Sequence, residues 1–134
     1  MNMLSCTTAV LCLLAAQATP PPPYQQQIDQ HLTKLADPSA FVRAGAAESL
    51  GYLRAYCAEH ALRQSLRDDE AEVRREAALA LGWCGSRESV EPLLDALNDR
   101  EWLVRAAAHV ALTNLTGMEL PFAATASSTQ RAEQ

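Results

Sequence analysis

The stretch "DDEAEVRREAALALGWCG", residues 68–85, opens on an acidic turn, runs through Val-Arg into alanines and leucines, and stops at glycine. Looser copies flank it: "DPSAFVRAGAAESLGYLR" at 37–54 and "DREWLVRAAAHVALTNLT" at 99–116. The copies are offset by 31 residues each time, so that Asp37, Asp68 and Asp99 fall in one column. The same offset aligns Leu35, Leu66 and Leu97; Val42, Val73 and Val104; Arg43, Arg74 and Arg105; Ala46, Ala77 and Ala108; and Leu50, Leu81 and Leu112. A generic alanine-rich helix has no reason to keep Asp, Val and Arg in phase three times, so the column pattern defines an internal repeat.

Within the middle copy, Val73, Ala77, Leu81 and Cys84 recur at steps of four, four and three and draw one apolar stripe down a helix. Asp68 or Asp69 ahead of it is the expected N-cap and Gly85 the expected stop; Asp99 and Gly117 take these parts in the third copy. Each copy is preceded by a shorter periodic stretch: "QQIDQHLTKLA", "AEHALRQSLR" and "SVEPLLDALN". Six helices are therefore predicted, near 25–36, 40–55, 58–67, 71–84, 88–98 and 102–116. One helix pair cannot bury both its apolar faces, so the units must stack and share a core. The fold class is all-α: a short α-solenoid of three helix pairs stacked in a right-handed array, with units at about 25–55, 56–86 and 87–117. The alanines at 46, 47, 77, 78, 107 and 108 are small enough to let the packed helices approach closely. In the second unit Glu59 and Arg63 stand where the third has Val90 and Leu94, which predicts a register shift or weaker burial there.

The pattern of Asp, Val-Arg, paired alanines and Ala-Leu-Gly resembles the HEAT-like repeats of the phycobilisome-lyase type, with Thr113 where glycine is usual. The resemblance covers about residues 25–117 and implies a fold more firmly than an activity. It implies that Asp37, Arg43, Asp68, Arg74, Asp99 and Arg105 form an inter-repeat hydrogen-bond ladder. It also implies that the second helices line the concave face.

The ends read differently. Residues 4–16 are uncharged and apolar but shorter than the roughly 20 residues a bilayer span needs. Ala16-Gln17-Ala18 follows them with the small-x-small pattern of a signal-peptidase site, so residues 1–18 are read as a signal peptide cleaved after Ala18. The expected destination is the periplasm or the medium. Four prolines at 20–23 favour an extended spacer over 19–24, and the small, polar run after 117 is expected to be a flexible tail over 118–134. The net charge of −5 argues against a nucleic-acid binder, which would cluster Lys and Arg.

No catalytic constellation emerges. His31, His60 and His109 fall out of phase, no pair has metal-ligand spacing, and no serine has a nucleophile-elbow context, so no metal, cofactor or enzymatic activity is expected. Cys57 follows the second helix of unit one and Cys84 ends the second helix of unit two, positions that stacking brings toward one edge, where they can pair as a disulfide or stay as buried thiols. Tyr52 and Trp83 share a column. They either form an aromatic strip on the partner-facing side, with Glu48, Arg75 and Glu76 beside them, or close the core between units. The function expected is an exported, non-catalytic protein–protein interaction module whose partner sits on the helix-lined concave face. The rivals are a bilin-handling protein related to the lyases and an array that self-associates end to end.

Overall fold

The computed structural model describes residues 22–119, so the expected signal peptide, the first half of the proline run and most of the tail lie outside the described residues. The described residues form six α-helices in three pairs: α1 (Pro23–Lys34) with α2 (Ala40–Tyr52), α3 (Glu59–Ser65) with α4 (Ala71–Cys84), and α5 (Val90–Ala96) with α6 (Trp102–Thr116). Among the described residues there is no strand.

Helix α1 begins inside the stretch expected to be an extended spacer. Pro23 takes the first helical position, where its missing amide hydrogen costs nothing, and Pro22 just before it is extended. The Tyr24 hydroxyl donates to the Leu53 carbonyl, tying the start of α1 to the end of α2. Helices α3 and α5 are shorter than predicted because each is led in by a 3-10 turn, Tyr56–Ala58 and Arg87–Ser89. Both turns and both helices keep the 31-residue offset, so the polar first helix of unit two has not shifted register.

The core is a ladder of aliphatic side chains between the pairs. Leu50, Leu62, Leu81 and Leu93 are fully buried, with Val73 and Val104 at the entrances of α4 and α6. Each such burial contributes about 1.5–3 kcal/mol. Helices α2, α4 and α6 form one continuous layer, each packing directly on the next, whereas α1, α3 and α5 pack mainly on their own partners.

Two glycines set the spacing within that layer. A Cβ at Gly51 would lie 2.9 Å from Ala80 Cα, and one at Gly82 would lie 2.9 Å from Ala111 Cα. Thr113 occupies the next place in this column, on a helix that supports no further helix among the described residues. The two inter-helix contacts that need a glycine have one, and at the third position no such contact exists among the described residues. The first helices, lacking this contact, stand apart with open grooves between them. The second-helix layer is therefore the inner, more compressed side of the stack.

The aspartates at the turns act differently from the capping expected of them. The N-cap positions are Ser39, Glu70 and Glu101, none with a side-chain cap bond. Asp37, Asp68 and Asp99 instead accept from the backbone amides of those residues, at 2.8, 3.0 and 2.9 Å, which folds the turn and leaves the carboxylate facing the stack. Of the two glycine stops, Gly117 is left-handed (φ 69°) as a helix-ending glycine should be. Gly85 is extended (φ −78°), and its reason is proximity: a Cβ there would lie 2.4 Å from the Leu81 carbonyl oxygen.

Candidate functional site

Two polar systems bind unit to unit. Arg43 donates through Nε and Nη2 to both carboxylate oxygens of Asp68 (2.8 and 2.9 Å), and through Nη1 to the carbonyls of Asp37 and Pro38 in its own turn. Arg74 repeats this one unit on, to Asp99 at 2.8 and 3.0 Å and to the carbonyls of Asp68 and Asp69. Arg105 holds the carbonyls of Asp99 and Arg100. The planar fork of arginine satisfies four acceptors at once, which a lysine could not do. The hydrogen bonds from Arg43 hold the Asp68 carboxyl below its ordinary pKa. At Asp99 burial pulls upward, but the bonds from Arg74 and the Glu101 amide outweigh it and the pKa is also lowered.

The second system arises where the sequence suggested a flaw. Glu59 Oε1 accepts from the Ser86 amide (2.9 Å), the Ser86 hydroxyl (2.8 Å) and the hydroxyl of fully buried Ser89 (2.6 Å). Burial opposes ionisation of Glu59, yet these three donors hold its pKa below the usual value. Arg63 meets Glu88 through both its carbonyl and its carboxylate, at 3.3 Å each. Glu59 and Arg63 are thus inter-unit ties in place of apolar packing.

The two cysteines do not pair. Cys84 is buried in the last turn of α4, its thiol donating to the Ala80 carbonyl at 3.2 Å, while Cys57 is exposed in the 3-10 turn. Burial, with Glu59 and Cys57 nearby, pushes the Cys84 thiol up to about 11. It is an inert core group, unsuited to thiolate chemistry. The histidines stay apart: His31 is half-buried on α1, with burial and then Lys34 lowering its pKa, and His60 meets Gln64. Among the described residues no group of three His, Cys, Asp or Glu side chains is placed to hold a metal ion.

The aromatic column lies on the surface of the second-helix layer. Tyr52 is 78% exposed and Trp83 51%, so neither ring closes the core between units. They flank a hollow of about 250 Å³ between α2 and α4, lined also by Glu48, Gly51, Glu76, Leu79 and Ala80. The close glycine contact forms its floor: the backbones meet at Gly51 and Ala80, and the larger side chains rise on either side.

Of the five residues singled out from sequence, Tyr52, Trp83, Glu48 and Glu76 line this hollow and Arg75 stands beside it. Glu76 is buried rather than presented: Arg75 Nε donates to it at 3.0 Å, and Arg75 Nη2 bonds Glu72 at 2.7 Å. Arg54 was missed. It ends α2 in the left-handed region (φ 48°), where an arginine is strained, and its guanidinium lies 5.6 Å from the Trp83 ring centroid. Its column pairs it with Gly85 and Thr116, so no repeat signal marks it.

A larger groove of about 500 Å³ lies between α3 and α5, lined by residues including His60, Arg63, Arg67, Asp95 and Asp99. One unit earlier a groove of about 300 Å³ is lined by the equivalent columns, including Leu35, Ala61, Gln64 and Asp68. A feature that repeats with the array follows from the spacing of the first helices. Its mixed charges offset one another. The aromatic pair of the Tyr52–Trp83 hollow is not repeated, because Asn114 follows in the third unit.

Stacked helix pairs joined by Asp–Arg ties at every turn define an α-helical repeat solenoid. A family profile described as HEAT repeats matches residues 28–113, and the chain belongs to that family. Comparison with curated proteins finds no match. HEAT repeats commonly serve as scaffolds for protein interaction and are generally non-catalytic. Among the described residues no helix is long and apolar enough to cross a membrane.

Proposed function

We propose that the protein is an exported, non-catalytic interaction module that holds a protein partner on its second-helix face. The observation that carries this reading is the exposure of Tyr52 and Trp83 side by side on a closely packed helix layer. Two large aromatics left facing solvent around one hollow are the anchor type on which binding energy concentrates. Export rests on the apolar stretch and the Ala16-Gln17-Ala18 pattern, and predicts a mature chain beginning at Thr19 when its mass is measured after secretion.

The test is affinity capture from the envelope extract of the source organism with the native chain and a Tyr52→Ala, Trp83→Ala variant of equal thermal stability. A partner held by the first and lost by the second supports the module and its site. Equal capture by both moves the site elsewhere, and no specific capture by either sinks the reading. The likeness to phycobilisome-lyase repeats names a bilin as the one ligand worth mixing in, and a shift in its absorbance would favour that chemistry. End-to-end self-association is disfavoured by Thr113, which blocks on α6 the close approach that Gly51 and Gly82 allow. A mass in light scattering that rises with concentration would restore it.

A further inference from the structure

We infer that the Tyr52–Trp83 hollow takes a single basic side chain, lysine or arginine, from the partner; this rests on the binding reading above and specifies the occupant. The inference begins with size. At about 250 Å³ the hollow falls below the roughly 300–1,000 Å³ of small-molecule sites and suits one long side chain. Leu79 and Ala80 offer apolar surface for a methylene stem, while the rings and carboxylates lie around them.

Charge selects the head group. Arg75 is engaged by Glu76 and Glu72, so the Glu76 carboxylate in the wall is already matched. Glu48 is exposed and, among the described residues, makes no hydrogen bond or ion pair; it acts on Arg75 only through longer-range attraction. An unmatched carboxylate beside two aromatic rings attracts a cation and repels an anion. The molecule supplies its own precedent in Arg54, whose guanidinium lies over Trp83 but which does not line the hollow. The indole of Trp83 thus already draws one cation to its ring.

The test is selection of random dodecamer peptides displayed against the full chain, followed by affinity measurement from Trp83 fluorescence in a Trp102→Phe background. Selected peptides should share a lysine or arginine. Replacing that residue by norleucine or citrulline should weaken binding about 5- to 30-fold, and Glu48→Gln should weaken it several-fold. The Glu48→Gln loss should shrink at high salt, since a carboxylate–cation attraction is screened. Peptides that require Trp83 but tolerate both replacements would overturn the cation and leave the binding module standing. If no selected peptide depends on Tyr52 or Trp83, both readings fall.

Discussion

Gly45 and Gly82 are both helix-interior glycines, and adding one methyl group to each should move stability in opposite directions. In an exposed helix glycine costs about 0.5–1 kcal/mol relative to alanine, a gain that either substitution recovers. A Cβ at Gly45 meets nothing within 4 Å, so Gly45→Ala keeps the whole gain. At Gly82 the added carbon would lie 2.9 Å from Ala111 Cα and 3.1 Å from Ala111 Cβ, against about 3.5–4.0 Å for a relaxed carbon pair. Helix α6 must retreat by the difference along its contact with α4, at an overpacking cost of about 1–3 kcal/mol. Because the propensity term is common to both sites, the difference between the two variants isolates the contact and should equal that cost. Urea unfolding followed by helical circular dichroism measures it, and for a domain of this size 1 kcal/mol corresponds to about 4–8 °C in Tm. If the two variants shift stability equally, Gly82 does not set the helix spacing and the account of the inner layer is wrong.

Arg74→Ala should cost about 3–5 kcal/mol and Arg43→Ala less, because the Arg74–Asp99 pair is the better buried (side chains 8% and 12% exposed, against 17% and 15%); equal losses in thermal unfolding would contradict this. Asp68, Asp99 and Glu59 all have folded pKa values below their ordinary ones, so their contribution is complete above about pH 5 and is lost as pH falls below about 4. The urea midpoint should drop between pH 6 and pH 3, and an Asp68→Asn, Asp99→Asn variant should show a flatter profile; an unchanged slope would remove these carboxylates from the explanation. At pH 8 alkylation mapped by peptide mass should mark Cys57 well before Cys84, whose thiol is buried and raised to about 11; comparable rates at both would mean that α4 opens at its end.

The columns of the repeat made the solenoid legible because each marks a contact every unit must make. Leucine fills the core, alanine meets the neighbouring helix, and aspartate and arginine tie the turns. What the sequence obscured was polar chemistry substituting for apolar packing. Glu59 looked like a misplaced charge because its three donors, from Ser86 and Ser89, come from the junction with the next unit, 27 and 30 residues on, and leave no spacing signal within its own helix. Asp68 resembles a cap in sequence, since capping and turn-folding aspartates both precede a helix and differ only in which amide they reach. The aromatic column could be placed on a helix but not on a side of it, because tyrosine and tryptophan suit a core edge and a binding surface equally well. Arg54 was invisible for a different reason: left-handed backbone usually advertises itself with glycine, and here an arginine supplies it.

The glycine contacts on one side of the stack and the grooves on the other make its stiffness unequal in the two bending directions. Tighter curling would drive Ala80 and Ala111 into backbones they already touch, which close-packed atoms resist steeply. Straightening needs only that the open space between the first helices close, with the Gly51 and Gly82 crossings serving as fulcrums. A load that straightens the array would therefore spread the walls of the Tyr52–Trp83 hollow, so mechanical strain and occupancy of that hollow would be felt by each other.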